Sequence, residues 1–266
     1  MLLYFLILLI IISLVYYVFC PTILETFESK KILVLYVFHE QNERVDYFLQ
    51  HNIFYDENID FLIISNNIQN DFSLPDYPNV SYIKRPNTGY DFGGWSDGLF
   101  SNKRYQKYDY FLFLNSSIKG PYLQSDDKKE YVYKFIRPLN NEVRLFGVTI
   151  NTGKARDNFP HIQSYAFSMN KETLQYLIDK EIFSTTKYPT TYVDAIYSKE
   201  VPMSRAIIDK GWNISCLHKL YNNIDFRRPI TNSHALKYED IMYKQYQNKL
   251  WKNQELVFIK GNRDLD

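Results

Sequence analysis

The feature that most restricts the fold is a series of short, largely apolar runs that alternate with amphipathic segments. Four of these runs have the length of single strands: "KILVLYVF" (31–38), "IDFLIISN" (59–66), "VSYIKR" (80–85) and "YDYFLFLN" (108–115). Continuous apolar runs of this length are typical of strands that are buried on both faces of a sheet. Three further strands are predicted over 144–151, 161–170 and 212–217.

Helices are predicted between these strands, where the apolar residues recur at helical spacing. They cover 45–52, the stretch after Asp91, 171–180 and 201–211, with Gly211 as a C-cap. Strands that alternate with helices form a mainly parallel sheet with helices on both of its faces. An α/β fold is therefore expected.

Polar or small residues follow the predicted strands, at the edge where a parallel sheet binds its ligands. They occupy 38–40, 65–67, 87–91 and 115–117. This pattern is compatible with a nucleotide or a sugar as ligand, although polar residues are equally common in any surface loop. The strand ends are the positions at which to look for chemistry.

Composition excludes several other classes of protein. The 266 residues carry a formal net charge of +1, which gives no electrostatic footprint for nucleic acid. Aromatic residues make up 17% of the chain, so it is too apolar to be disordered. The cysteines, Cys20 and Cys216, do not form a disulfide framework, and no Cys/His cluster indicates a zinc site.

The first 24 residues contain no charged side chain. An apolar helix of this length crosses a bilayer core of about 30 Å, and the segment lacks the basic start and the small-residue cleavage site of a signal peptide. We therefore predict a single-pass membrane anchor over 1–24. Lys30 and Lys31 favour a cytoplasmic domain, whereas a type II orientation places it in a lumen, and the sequence leaves both open.

The stretch "NTGYDFGGW" (87–95) connects the third strand to the following helix. Gly89 can adopt a positive φ and lets a ligand approach the backbone, and Asn87 tolerates similar conformations. Asp91 is predicted either to cap the helix or to accept hydrogen bonds from the hydroxyls of a ribose or sugar. Taken alone, the stretch is more typical of a capped strand–helix turn than of a ligand site.

A second stretch, "FLNSSIKGPY" (113–122), ends the fourth strand in polar residues. The order of elements here resembles the nucleotide-sugar half of a GT-A glycosyltransferase, in which a glycine-bearing turn is followed by a helix and then by a strand with a polar end. With "GVTIN" (147–151) and "HIQSYAFSMN" (161–170), the motifs resemble rhamnan-synthesis F-type proteins and related glycosyltransferase-like proteins of algae, bacteria and large viruses. The resemblance covers about 31–220.

The resemblance implies a domain organisation and a function. The anchor is followed by a GT-A-like domain over 25–220 and by a C-terminal loop and helix over 221–266, the helix starting at about 235. The expected activity is that of a membrane-anchored glycosyltransferase in polysaccharide biosynthesis. It would move a hexose or deoxyhexose, rhamnose among them, from a nucleotide-sugar donor to a glycan or glycoconjugate acceptor.

Carried onto this sequence, the resemblance assigns a donor-binding set: Asn87, Gly89, Asp91, Asn115, Ser117 and Lys119. Asn115 and Ser117 stand where GT-A enzymes usually have the two metal-binding aspartates of Asp-x-Asp. Neutral amides and hydroxyls are poor primary ligands for Mg²⁺ or Mn²⁺, so the need for a divalent metal stays open. Lys119, Arg85 and Lys84 are the alternatives for balancing the diphosphate charge.

The resemblance places acceptor contacts at His161 and Gln163. An inverting transfer also needs a base for the acceptor hydroxyl, and the late carboxylates Glu200 and Asp194 are the candidates. Glu200 is the first choice because it directly precedes a helix, whose N-terminus stabilises a charged acid.

In the C-terminal piece, the basic side chains of Arg227, Arg228 and His234 either reach the diphosphate or belong to a solvated linker. The absence of Asp-x-Asp also supports a second function. This is a catalytically inactive GT-A-like protein that binds carbohydrate or acts as a scaffold.

Overall fold

A seven-stranded sheet forms the centre of the fold in the computed structural model, which describes residues 30–152, 159–230, 236, 238 and 240–263. The strands of this part of the chain are β1 (Ile32–Phe38), β2 (Ile59–Ser65), β3 (Val80–Lys84), β4 (Tyr110–Asn115), β5 (Ile118–Lys119), β6 (Val143–Gly147), β7 (Ile150–Asn151), β8 (His161–Ile162), β9 (Ala166–Asn170), β10 (Asn213–Cys216) and β11 (Ile259–Lys260). The order across the main sheet is β10-β6-β9-β4-β1-β2-β3.

The sheet is mostly parallel. Strands β1, β2, β3 and β4 run in one direction, and β10 runs parallel to β6. Strand β9 pairs antiparallel with both β4 and β6. Two short ribbons lie outside the sheet, where β5 pairs antiparallel with β11 and β7 with β8.

Helices flank the sheet. The α-helices of the described chain are α1 (Glu43–His51), α2 (Tyr90–Phe100), α3 (Lys129–Ile136), α4 (Lys171–Asp179), α5 (Tyr192–Ala195), α6 (Val201–Asp209) and α7 (Asn253–Leu256). A π-helical turn, Ile196–Glu200, joins α5 to α6. The side chains of Asn42 and Asn170 cap α1 and α4 by accepting backbone N–H bonds, which explains where these helices begin.

Helix α2 packs directly on the strands because it carries glycines on its inner face. A Cβ at Gly94 would lie 2.7 Å from Val37 Cγ2, and one at Gly98 would lie 2.8 Å from Leu62 Cδ2. Between them, the fully buried ring of Trp95 meets Phe113 edge-on, with centroids 5.6 Å apart. This contact fixes the height of α2, and of the turn before it, above the sheet.

The α/β class and the mainly parallel sheet are confirmed, and the first four strands lie within the predicted runs. The runs 144–151 and 161–170 each form two strands instead of one. Their outer halves leave the main sheet and pair with each other as β7 and β8. Gly211 closes α6 with a φ of +87°, as predicted.

Two local predictions are wrong. Asp91 is not the N-cap of α2, because the helix starts at Tyr90, two residues earlier than predicted, and its N-cap is Gly89, which has a φ of +78° and no side chain to cap with. The helix expected from about 235 does not form in the described part of the C-terminal piece. That part contains a 3₁₀ turn at Lys244–Tyr246 and the short α7. Trp251 Nε1 donates to the carbonyl of Ile241 across 2.8 Å and ties the loop to itself.

The predicted localisation as a single-pass membrane protein is corrected. In the residues that the structure describes, no helix is long and apolar enough to span a bilayer. The anchor predicted over 1–24 lies outside those residues.

Candidate functional site

A cavity of about 380 Å³ opens at the carboxyl ends of β1 and β4. The chain leaves β1 towards β2 on one side and returns to β4 on the other, so the strand order reverses between β1 and β4. Open α/β sheets bind their ligands at such a switch point. Most of the residues predicted for the site line this cavity: Asn87, Asp91, Asn115, Ser117, His161, Gln163 and Glu200.

Asp91 and Asn115 meet at the floor of the site. Asn115 Nδ2 donates to Asp91 Oδ2 across 2.8 Å, and Asn115 Oδ1 accepts from the backbone N–H of Ser117 at 2.9 Å. The pKa of Asp91 is raised to about 6, mainly by burial, which outweighs the lowering effect of the Asn115 hydrogen bond, and to a smaller extent by the charge of Glu200. The carboxyl group of Asp91 can therefore change its charge close to neutral pH.

The turn before α2 is rigid. A Cβ at Gly89 would lie 2.7 Å from Tyr188 Cδ1, so this glycine packs against protein and does not line the cavity. The Asn66 side chain donates to the carbonyl of Tyr90 at 2.9 Å and accepts from Arg85 Nη1 at 2.7 Å. The turn is thus held by a buried network before any ligand arrives.

Arg85 serves this network and not the cavity. Besides Asn66, its guanidinium contacts Asp97 Oδ2 at 2.6 Å and the carbonyl of Thr88 at 2.7 Å. The other basic residue of that strand, Lys84, lies over the ring of Phe72, 5.3 Å from its centroid. Neither residue lines the cavity, so the geometry gives them no role in balancing a diphosphate.

Glu200 lies at the end of the π-helical turn, with its carboxylate held from one side. The backbone N–H of Ser164 donates to Glu200 Oε2 across 2.7 Å, and the Ser164 hydroxyl donates to the same oxygen. The sequence gives no sign of a π-helical turn, yet such turns are frequent at functional sites. Ser164 therefore holds the Glu200 carboxylate in place. It lies in the turn at which the chain passes from β8 to β9.

His161 faces the free oxygen of Glu200. Its Nε2 lies 3.7 Å from Glu200 Oε1, and its Nδ1 donates to the carbonyl of Phe159 at 3.0 Å. A neutral imidazole with its proton on Nδ1 has a lone pair on Nε2. A water placed between Nε2 and Oε1 can then donate to both, and a hydroxyl can donate to one of them.

Asp194 and Lys119 do not line the cavity. The backbone N–H of Thr190 donates to Asp194 Oδ2 at 2.8 Å and is the main cause that holds the pKa of Asp194 below its usual range. The carboxylate thus serves its own helical turn at the surface. Lys119 belongs to β5, which pairs with β11.

The C-terminal segment contributes side chains that the sequence did not single out. Asp240, Tyr243, Lys260, Asn262 and Arg263 all line the cavity. Arg263 Nη2 lies 3.2 Å from Asp240 Oδ2, and Lys260 Nζ lies 3.7 Å from the same oxygen. The apolar run before Lys260 was the one available signal, since it indicates a strand that ends in basic residues.

The basic residues that were predicted from this piece lie elsewhere. Arg227 and Arg228 both pair with Asp225, at 2.7 Å and 3.3 Å, and do not line the cavity. His234 lies outside the described residues. His39, from the predicted strand end 38–40, also lines the cavity, and Tyr192, at the start of α5, is a lining residue that the sequence analysis missed.

The residues at the strand tip do not fit a divalent metal. Asn115 directs its amide oxygen to the N–H of Ser117 and its amide nitrogen to Asp91. The amide oxygen, the atom of this side chain best suited to bind a metal, is therefore already engaged in a hydrogen bond. Asp91 supplies a single carboxylate where Mg²⁺ or Mn²⁺ sites prefer several oxygen ligands. In the described part of the chain, no group of three or more His, Cys, Asp or Glu side chains is arranged to hold a metal ion.

The fold and the polar cavity define an α/β protein with a ligand site at the switch point of its sheet. Residues 34–259 match the family described as RgpF, rhamnan synthesis protein F. The chain belongs to this family, which confirms the resemblance found in the sequence. The description of this family names the synthesis of rhamnan, a polysaccharide.

Among curated proteins, the chain is similar to the uncharacterized protein y4gN of Sinorhizobium fredii. The two are 23% identical over 239 residues, which cover 83% of this chain and 60% of the relative. The chain thus spans only about 60% of the length of this relative.

Two solved structures are similar at low scores. The glycosyltransferase GlyE of Streptococcus pneumoniae TIGR4 gives a TM-score of 0.40 at 12% identity, over 73% of this chain and 47% of that chain. A glycosyltransferase involved in the glycosylation of the major capsid of PBCV-1 gives 0.35 at 14% identity, over 70% and 81%. At these TM-scores, neither likeness supports a conclusion about function.

Proposed function

We propose that this protein is a GT-A-type glycosyltransferase that moves a sugar from a nucleotide-sugar donor to a glycan or glycoconjugate acceptor. The observation that carries the proposal is that one switch-point cavity is lined by both a polar strand tip, Asn115 with Asp91, and a fixed carboxylate, Glu200. Family membership supports the same reaction class. A hexose or deoxyhexose such as rhamnose is the proposed sugar.

The donor is proposed to bind on the side of the strand ends. Asn87, Asp91 and Ser117 offer amide, carboxylate and hydroxyl groups, which recognise the hydroxyls of a ribose or a sugar. The rigid turn before α2 means that these groups need little reordering when the donor binds, which favours affinity.

Glu200 is proposed as the base of an inverting transfer. Its Oε1 takes the proton of the acceptor hydroxyl, the hydroxyl oxygen attacks the anomeric carbon, and the nucleoside diphosphate leaves with the bonding electron pair. The Ser164 hydrogen bonds hold the carboxylate in place. His161, 3.7 Å away, and Gln163 would border the position of the incoming hydroxyl in the cavity wall.

The test is a screen of the full chain against a panel of nucleotide sugars. Calorimetry measures donor binding, and the release of nucleoside diphosphate measures turnover with and without an added glycan acceptor. We expect one donor to bind and to be consumed. Folded protein that binds none of the donors would contradict the proposal.

The second candidate function is a carbohydrate-binding or scaffold protein without catalysis. The observation that favours it is the neutral pair Asn115 and Ser117 at the position of Asp-x-Asp. Such a protein binds a donor or a glycan but shows no turnover with Mn²⁺ or with EDTA. Turnover in the presence of EDTA identifies a metal-independent enzyme instead.

A further inference from the structure

We propose that Lys260 and Arg263 bind the diphosphate of the donor and supply the positive charge that a divalent ion supplies at an Asp-x-Asp site. The inference rests on the proposed function for the identity of the ligand. It starts from the mismatch described above, since the strand tip has charge-neutral Asn115 and Ser117 and does not fit a metal. A leaving diphosphate nevertheless needs compensation for its developing negative charge.

The chain places these two cations next to that strand tip. Strand β11 pairs antiparallel with β5, which directly follows Ser117, and the N–H of Gly261 donates to the carbonyl of Ser117 across 2.6 Å. Gly261 leaves no room for a side chain, because a Cβ there would lie 2.7 Å from Arg44 Cδ. The segment from Lys260 to Arg263 is thus held against the tip of β4.

Asp240 holds the two cations side by side. Its Oδ2 contacts Arg263 Nη2 at 3.2 Å and Lys260 Nζ at 3.7 Å, while its Oδ1 accepts from the N–H of Met242 at 2.9 Å. Two positive charges share one negative charge, so the cluster keeps one net positive charge. Asp240 is therefore a positioning residue in this proposal.

In the described part of the chain, the ammonium of Lys260 has only distant partners, since its Nζ lies 3.7 Å from Asp240 and 5.9 Å from the centroid of the Tyr165 ring. The Lys260 side chain is only 15% exposed, and Asp240, at 3.7 Å, is the one carboxylate within salt-bridge distance among the described residues. A lysine has three N–H donors, and a buried cation without acceptors is costly. Burial accordingly lowers the pKa of Lys260. An oxyanion in the cavity would accept these donors, and two phosphate groups would accept from Arg263 as well.

Asp91 and Glu200, the other two acids that line the cavity, are bonded elsewhere, although the charge of Glu200 acts on Lys260 from a distance and favours its charged form. Asp91 is bonded to Asn115, and Glu200 to Ser164. In the described part of the chain, neither acid forms an ion pair with Lys260 or Arg263. The cavity therefore has a cationic wall at the C-terminal segment and separate carboxylates for the sugar chemistry.

The experiment measures binding and not only turnover. Full-length protein is titrated with inorganic pyrophosphate and with UDP, GDP and dTDP by calorimetry, in EDTA and again with Mn²⁺. We expect one of the nucleoside diphosphates to bind in EDTA, with little change when Mn²⁺ is added. Affinity that appears only with Mn²⁺ overturns the proposal.

Lys260→Met and Arg263→Met keep much of the apolar stem and remove the charge. We expect each to weaken diphosphate binding at least tenfold and to flatten the dependence of affinity on salt. Lys260→Arg is expected to restore most of the affinity. Arg228→Met is the matched control, because this cation of the same C-terminal piece pairs with Asp225 outside the cavity, and it is expected to bind as the wild type does.

The outcomes separate this inference from the proposed function. Unchanged affinity in a folded Lys260→Met protein overturns the inference, even if the protein transfers sugar. Diphosphate binding that depends on Lys260, without turnover of any donor, supports the inference and removes the proposed catalysis. If Lys260→Met does not fold, Lys260→Gln and the charge-preserving Lys260→Arg give the same comparison.

Discussion

Asn115 donates its amide hydrogen to the carboxylate of Asp91 across 2.8 Å and so connects the tip of β4 with the first turn of α2. The two residues lie on separate elements that the chain brings together only at the switch point of the sheet. The bond favours the charged form of Asp91, whereas burial and Glu200 favour the neutral form. Burial is the larger effect and raises the pKa to about 6, so Asp91 links stability to pH.

Asp91 is expected to lower the stability of the fold as the pH rises. Its pKa moves from 3.8 to about 6 on folding, so between these values the folded state binds more protons than the unfolded state. At about 1.4 kcal/mol per pKa unit, the full effect is about 3 kcal/mol at most. Urea unfolding of the wild type and of Asp91→Asn, from pH 3.5 to pH 7, measures it. The free energy of unfolding of the variant, relative to that of the wild type, should increase as the pH rises across this window. A constant difference between the two proteins would show that the pKa of Asp91 is not raised.

His218 is expected to act in the opposite direction. Burial lowers its pKa from 6.5 to about 4, so the unfolded state binds more protons between these values and the fold loses stability as the pH falls. Its Nδ1 accepts from the N–H of Leu220 at 3.1 Å, a bond that an asparagine can also make. His218→Asn should therefore be less sensitive to pH than the wild type between pH 7 and pH 4, as measured by urea unfolding. Equal slopes for both proteins in that range would rule out a buried neutral imidazole.

Glu200→Gln is expected to remove transfer and to leave donor binding intact. The amide keeps the shape of the side chain but cannot take a proton, and a positioned base contributes about 10²- to 10⁴-fold to a rate. Nucleoside diphosphate release measures kcat, and calorimetry measures the donor affinity. Asp194→Asn is the comparison for the second candidate base, and since Asp194 does not line the cavity, kcat should change less than twofold. If Asp194→Asn removes transfer and Glu200→Gln changes kcat by less than twofold, Asp194 is the base.

Gly94→Ala is expected to destabilise the fold by about 1–3 kcal/mol, the usual range for overpacking a core. The added methyl would lie 2.7 Å from Val37 Cγ2 and 2.8 Å from Asn66 Oδ1, and Asn66 also holds the turn before α2. Donor affinity should fall together with stability. Gly211→Asn is the control, because a Cβ there meets no atom within 4 Å and asparagine tolerates a positive φ. Similar losses for both variants would indicate a backbone effect and not a steric one.

The sheet could be predicted because its central strands are largely apolar runs, which can be recognised without knowing the strands that they pair with. All seven residues of β1 are buried, and its run in the sequence has no internal alternation. The meeting of the strand-end residues at one cavity could also be predicted, since strand ends in a parallel sheet fall on one edge. Asn115 and Asp91 are an instance, and of the two roles predicted for Asp91 the N-cap is wrong.

The remaining features depend on contacts between distant parts of the chain. The split of 161–170 into β8 and β9 is associated with hydrogen bonds from Ser164 to Glu200, which no local pattern indicates. The position of Glu200 also depends on a π-helical turn. Lys260 reaches the cavity through a two-residue ribbon with β5, and so short a strand has no periodicity from which to recognise it.

The hydrogen bond from Gly261 to Ser117 has a thermodynamic consequence. The C-terminal segment is held to the rest of the fold by one two-residue ribbon, β5 with β11, and by buried side chains such as Val257 and Phe258. Its local opening leaves the main sheet intact and should therefore require less free energy than global unfolding. A ligand of Lys260 and Arg263 binds only when this segment is docked on the rest of the fold. By linkage, the ligand must stabilise the docked state by the same free energy that docking contributes to ligand binding. Slower hydrogen exchange at the amides of β5 and β11 would then measure occupancy of the cavity without any turnover.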